Sequence, residues 1–412
     1  MQEVHGGPPR GGEMLARRML SGLALVAAAA CAWAPQSHAQ ATKELVVERS
    51  REHDVDRLLG GGSLSVSRVI ELDGGGYAVA GYLQDDRAMG RIDRAFVTIG
   101  LDERGDVRWK YQSDRDEPNE AKALARLGNG GVVAAGDYRM SQGWVIPLDK
   151  SGTPFWNRSK DPVGVILRRR GIQSAAVLTD GSIAVGGQLD GSGGVTLLSP
   201  VGHVTSERSL GYKDDTWVVG MTVDSGDLLG AGYAYFRETV AEDPSVAALR
   251  PFPRIERETD VVAFRMKPSG ELVWNKRFTR PGMEVVTAVA RTPTGIVVGG
   301  RASSAGNRNY DVFLQFIDRN GDSGERAVLD HNNAWNEVGD LRATSQGVLV
   351  AATTQVNGQN GVWMFLFNAA GEIAWQAARA APAKAMTISS DGRVVVVAAE
   401  GGKLKVQILR AE

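Results

Sequence analysis

Apolar positions along this chain come in short runs, and the runs recur. From Val69 to Tyr82 the sequence reads VIELDGGGYAVAGY: an apolar strand, a glycine turn, and a second strand closing on a small residue. The unit returns as ALARLGNGGVVAAGDY ending at Tyr138, AAVLTDGSIAVGGQ ending at Gln188 and GMTVDSGDLLGAGY ending at Tyr233. It then returns as AVARTPTGIVVGGR ending at Arg301, LRATSQGVLVAATT ending at Thr354 and AMTISSDGRVVVVAAE ending at Glu400. Runs such as VVAAG and VVVVAA are apolar at successive positions, the pattern of strands covered on both faces.

A second signature follows the first. Asp102, Gly105 and Trp109 recur as Asp149, Gly152 and Trp156, and the Gly and Trp recur as Gly270 with Trp274 and Gly371 with Trp375. A glycine free to adopt positive φ makes a hairpin turn, and a Trp on the outer strand covers the seam to the adjacent unit. The third and fifth units carry Ser206 and Glu325 at the Trp position, so their seams are expected to be weaker. The residues that close the second strands are Gly81, Gly136, Gly187, Gly232, Gly300, Ala352 and Ala398. Their intervals suit four-stranded blades of about 40 to 50 residues. The expected fold is therefore all-β, a seven-bladed β-propeller filling residues 40–412 as one domain. Its last repeat, with strands at 383–388, 393–399 and 403–410, lacks a fourth strand, and residues 43–50 are expected to supply it and hide an open edge.

The N-terminus has another character. Arg17-Arg18, the apolar run Met19 to Ala34 and the small-x-small site Ser37-His38-Ala39 read as an export signal over residues 1–39, removed after Ala39. Residues 1–13 lack signal character, which makes Met14 an alternative start to Met1. Cys31, after Ala28-Ala29-Ala30, resembles a lipoprotein acylation site and is a candidate lipid anchor. Cleavage after Ala39 would leave a mature chain without cysteine, hence without disulfides or thiol chemistry. Later apolar runs are too short for a transmembrane segment, and a periplasmic or secreted location is expected. With 51 glycines among 412 residues the composition suits short strands and tight turns. The 47 basic side chains balance 48 acidic ones, which is no nucleic-acid footprint.

The quoted repeats resemble the exported bacterial β-propeller proteins with a DGG-Y-V-AG second strand and an LD-x-x-G-x-x-x-W outer hairpin, across nearly the whole mature chain. More distantly they are similar to the quinoprotein-like propellers and to the propeller lipoprotein of outer-membrane assembly. The resemblance implies architecture only.

Candidate chemistry is sparse. Aligning the repeats on their turn glycines puts Glu120, Asp215, Glu284 and Glu337 at matching places, where an incoming loop meets the innermost strand. Four carboxylates at one channel mouth would form a cation-attracting funnel. The same positions suit residues that cap their strand or bond to the next blade. Trp217 and Trp335, beside Asp215 and Glu337, could stack on a sugar or a cationic group, or fill a seam. Asp318 to Gly324 resembles a calcium loop out of register, with Leu329 where a glutamate belongs. Arg104-Gly105-Asp106 falls on a hairpin turn, Arg168-Arg169-Arg170 is a short basic cluster, and His53, His203 and His331 stand singly. An insertion at about 234–259 interrupts the fourth blade. The sequence supplies no catalytic nucleophile, metal cluster or cofactor fingerprint. The expected function is a non-catalytic exported scaffold binding a protein or carbohydrate partner in the bacterial envelope. The alternative is a carbohydrate-active lyase or hydrolase that uses the four carboxylates as acid and base.

Overall fold

The computed structural model describes residues 41–84, 93–114, 118–157, 159, 162–168, 170–189, 191–212, 215–239, 255–280, 282–303 and 309–412. The expected signal with Cys31, and residues 240–254 of the expected insertion, lie outside the described residues. The unit Ala41–Glu412 is built from antiparallel sheets that form in sequence order. The first comprises Ser63–Glu71, Tyr77–Gln84, Arg94–Leu101 and Val107–Gln112. The second comprises Glu120–Arg126, Val132–Tyr138, Gln142–Leu148 and Val165–Leu167, and the third Arg170–Val177, Ile183–Leu189, Ser192–Leu198 and Val204–Ser209.

Next come two four-strand groups joined in one sheet by the parallel pairing of Thr259 with Met283: Asp215–Asp224, Asp227–Thr239, Ile255–Met266 and Leu272–Phe278, then Met283–Thr292, Gly295–Ser303, Asp311–Asp318 and Ser323–Leu329. Glu337–Thr344, Gly347–Val356, Gln359–Asn368 and Ile373–Ala380 form the following sheet. The C-terminal sheet has Ala385–Ile388, Val394–Glu400 and Lys403–Ala411. Leu45–Asp54 pairs antiparallel outside Lys403–Ala411, from Leu45 opposite Ala411 to Asp54 opposite Lys403.

Burial on both faces explains the continuous apolar runs. The core is a series of layers, each between one sheet and the next. Phe96 and Ala80 of the first sheet meet Trp144 and Ile146 of the second, for example, and Phe313 of the fifth group meets Val261 and Leu229 of the fourth. One layer packs Val395, Val406 and Ile408 of the C-terminal sheet against Val79, Val97 and Ile99 of the first. Every sheet is thus covered on two sides, the arrangement that non-alternating strands require.

Outer-strand tryptophans seat on a specific partner, the turn glycine of the following sheet. Trp109 lies over Gly152, Trp156 over Gly202 and Trp274 over Gly321. A Cβ on Gly152 would sit 2.5 Å from the Trp109 ring, so these glycines are required twice, by positive φ and by space. Ser206 and Glu325 occupy the same seats, over Gly270 and Gly371, with far less apolar cover. Trp375 has a different neighbour: Ala41 pairs with it, and the Lys43 ammonium lies 4.7 Å from its ring centroid.

The aspartate of the outer hairpin closes its own turn. One carboxylate oxygen of Asp102 accepts from the backbone N–H of Arg104 at 2.8 Å and of Asp106 at 2.9 Å. Asp149, Asp318 and Asn368 do the same two and four residues on. At the loop that resembled a calcium site, Asp318 is therefore engaged by its own backbone.

Two details differ from expectation. Trp156 is not on the strand that completes the second sheet. Pro154, which has no N–H to give the ladder, interrupts pairing after a bridge to Leu148, and the strand resumes at Val165–Leu167. The stems of the blade-four insertion are a regular hairpin, paired as far as Thr239 with Ile255.

Charged ties reinforce the seams at the turn-bearing end. Asp224, almost fully buried, takes Arg319 through two nitrogens and Arg291 at 2.8 Å, both from the following four-strand group. Hydrogen bonding from Arg319 is the main influence holding its carboxyl below the ordinary aspartate value. A depressed native value means the tie contributes above the unfolded-state pKa and is lost as pH falls through the native one. Asp224→Asn is expected to cost about 2 kcal/mol at pH 7 in denaturant melts. That gap should narrow as the pH falls below the unfolded-state aspartate value of about 3.9, and a gap undiminished in acid contradicts the assignment.

The Trp seats make a separate prediction. Gly152→Ala combines a strained φ with a collision against Trp109, whereas Gly74→Ala meets only the φ penalty, having nothing within 4 Å of its Cβ. The first is expected to cost about 2–4 kcal/mol and the second about 1–2 kcal/mol. Equal losses in thermal melts would mean the Trp seat is not tight.

Candidate functional site

In several inner strands a β-bulge follows a buried apolar residue, at Val66, Ala121, Val218, Val286 and Val338. The bulge brings the inner-strand carbonyl toward the second strand. A Cβ at Gly81, Gly136 or Gly300 would collide with the carbonyl of Ser65, Glu120 or Val285. The small closing residues therefore serve close approach within one sheet, in addition to any convergence between sheets.

The bulge also sets where the four carboxylates stand. Glu120 and Glu337 come one residue before the bulge-flanking apolar position, Glu284 two before and Asp215 three before. Side chains alternate faces along a strand, so Glu284 faces opposite to the others. Turn spacing alone did not reveal this, because the acids stand ten or eleven residues before their turn glycine and one residue reverses the face of a side chain.

Each acid meets a specific neighbour. Glu120 is buried, pairs with Arg94 of the preceding sheet and has Lys122 Nζ at 3.1 Å; Lys122 also reaches Asp137 at 2.6 Å. Glu284 is buried against Arg326, and its backbone N–H donates to Thr259 Oγ1 at 2.7 Å. Burial pushes the Glu284 carboxyl above the ordinary glutamate value against the opposing pull of Arg326. Asp215 is exposed and accepts from the Gln188 amide of the preceding sheet. Glu337 holds Arg301 at 2.6 Å, again across a seam.

Trp217 and Trp335 part company. Trp217 is half-buried with its ring over Gly171 of the preceding sheet, which makes it seam filling. Trp335 is 46% exposed. Its ring centroid lies 4.3 Å from that of Tyr310, and the Arg301 guanidinium lies 5.3 Å from Trp335 and 5.2 Å from Tyr310. The loop beneath is preformed. Buried Asn336 donates through its amide to Ala334 O at 3.0 Å and through its backbone to Tyr310 O at 2.8 Å, while Asn332 and Asn333 take the left-handed conformation. Tyr233 lies within the fields of both Arg301 and Asp215; burial, then the adjacent Tyr235, raises its phenol above the ordinary tyrosine value. Arg301, Glu337, Tyr310 and Trp335 are thereby gathered in contact, while Glu120, Asp215 and Glu284 are held by Arg94, Gln188 and Arg326. Arg301 and Tyr310 were not anticipated, although Arg301 directly follows the closing Gly300, as Gln188 follows Gly187.

No protein-family model and no curated protein matches this chain. Solved structures do. The WD40 domain of Pan2 from Neurospora crassa is similar at a TM-score of 0.54 and 8% identity, covering 89% of this chain and 96% of that one. The β-propeller domain of the trilobed protease from Pyrococcus furiosus is similar at a TM-score of 0.50 and 9% identity, covering 85% and 94%. Together with the serial four-stranded sheets and the layers between them, these similarities establish an all-β protein with the β-propeller fold.

Proposed function

We propose that this chain is an exported, seven-bladed β-propeller of the bacterial envelope, closed by its N-terminal strand, that binds a protein partner through the face carrying Trp335. Export rests on the pattern from Arg17 to Ala39. Closure is supported by the ladder between Leu45–Asp54 and Lys403–Ala411. The full chain lacking residues 43–50 is expected to melt more than about 5 °C lower. An unchanged melt would rule closure out.

One observation carries the binding reading: an exposed Trp on a preformed loop, flanked by Tyr310 and Arg301. Trp, Tyr and Arg are the residue types that dominate binding energy at protein interfaces, and a prearranged loop loses little entropy on docking. The same exposed ring suits sugar stacking, which makes a carbohydrate partner the second reading. The carboxylates give less support to a lyase or hydrolase. Glu120 and Glu337 each hold a guanidinium across a seam and Glu284 is enclosed against Arg326, so all three are committed to ion pairs.

The test is cross-linking mass spectrometry in native envelope, followed by affinity measurement with the partner found. Trp335→Ala is expected to weaken that affinity by roughly 30-fold or more. Undiminished affinity removes Trp335 from the interface. Competition by envelope polysaccharide that is lost in the variant moves the reading to carbohydrate.

A further inference from the structure

The inner strands also line cavities that no role above uses. One, of about 160 Å³, is bounded by inner-strand residues that include Arg68 of the first sheet, Gln173 of the third and Asp340 of the sixth group. A wider one of about 340 Å³ shares Arg68 and Gln173 and adds Lys384 and Glu337. Arg68 therefore lies where both cavities meet.

Arg68 and Gln173 are both half-buried, and a guanidinium partly withdrawn from water ordinarily has a carboxylate beside it, because desolvating an isolated charge is costly. Among the described residues no carboxylate lies within ion-pair distance of Arg68. Asp340 is the nearest source of negative field, and burial depresses the Arg68 pKa against that field. The Asp340 carboxylate is committed elsewhere. It accepts from Thr387 Oγ1 at 2.9 Å and from the backbone N–H of Ile388 at 2.7 Å and of Leu341 at 2.9 Å. Thr287 and Ser174 give their hydroxyl protons to the carbonyls of Val338 and Val218. The Gln173 amide, like Arg68, has no hydrogen-bond partner among the described residues. Two donors from different sheets thus face one cavity without acceptors.

We infer that these cavities hold a short-chain monocarboxylate, its carboxylate on Arg68 and Gln173 and its apolar body against Leu124, Met221 and Val289. Arg68 selects an anion, since the carboxylates lining the two cavities are already engaged, Asp340 by three donors and Glu337 by Arg301. The fork of a guanidinium matches two carboxylate oxygens, and Leu124, Met221 and Val289 offer an apolar wall for a short chain. This inference is independent of the Trp335 face.

Isothermal titration calorimetry on the purified protein at constant ionic strength tests it with sodium butyrate, sodium phosphate and sodium chloride. Butyrate is expected to bind saturably and more tightly than phosphate, with no saturable heat from chloride. Arg68→Met should weaken butyrate by at least about 10-fold, the loss of a charge-assisted pair. Removing an unpaired, half-buried charge should leave this variant folded and melting no lower than the parent. Gln173→Ala, a second variant, should weaken butyrate less. Absence of saturable butyrate binding, tighter phosphate than butyrate, or butyrate affinity unchanged in both variants would each overturn the inference.

Discussion

Everything in this molecule depends on sheets that are apolar on both faces. A four-stranded antiparallel sheet with one wet face can end where it is, but one whose second strand reads VVAAG or VVVVAA must be covered twice. The first sheet meets that demand with the second on one side and the C-terminal sheet on the other, through Val79, Val97 and Ile99 against Val395, Val406 and Ile408. Stability is therefore distributed over the seams. No sheet has a private core, and whatever fixes the angle and spacing at a seam fixes the fold.

Two devices do this, at the two ends of the strands. At the turn end, a bulky outer-strand side chain sits on the next sheet's turn glycine, as Trp109 does on Gly152. At the other end, a polar tie reaches the start of the next inner strand: Arg94 to Glu120, Asp137 to the Gly171 N–H at 2.8 Å, Gln188 to Asp215, Thr259 to the Glu284 N–H, and Arg301 to Glu337. Apolar burial is indifferent to small slips between sheets, whereas hydrogen bonds are not. The ties thus set the register that the apolar layers leave loose. Where Trp is replaced by Ser206 or Glu325, the tie at the opposite end is retained, in Gln188 with Asp215 and Arg301 with Glu337.

This division explains what was legible. The strands, the turn glycines and the N-terminal strand could be read because each depends on local pattern: a run of apolar residues, a glycine before a Trp, a segment without a repeat of its own. The seam ties could not, since Arg94 and Glu120 are joined only by how two sheets meet. The matching of the four carboxylates failed for a related reason. All four strands carry a bulge at the same register, opposite the closing small residue, but the acids stand ten or eleven residues before their turn glycine, and a one-residue difference turns a side chain to the other face. Trp217 and Trp335 looked alike in sequence, each two residues from an acid. Only the neighbouring Gly171 in one case, and the Asn336-pinned loop in the other, separates seam filling from exposure.

Seam chemistry also constrains what the carboxylates can be asked to do. An acid that holds a neighbouring sheet in place must stay still, since its movement would release Arg94 from Glu120 or Arg301 from Glu337. A general acid has to give up and regain a proton in each turnover, which would loosen a seam each time. Trp335 carries no such duty. Its ring is held by Tyr310 and Arg301 on one side and meets solvent on the other. Arg301 thus serves both functions at once, bonding Glu337 to keep two sheets in register and backing the exposed ring. Exposure of that ring involves no proton transfer and no movement of a seam, so a fold whose rigidity resides in its seams can present it without loosening any of them.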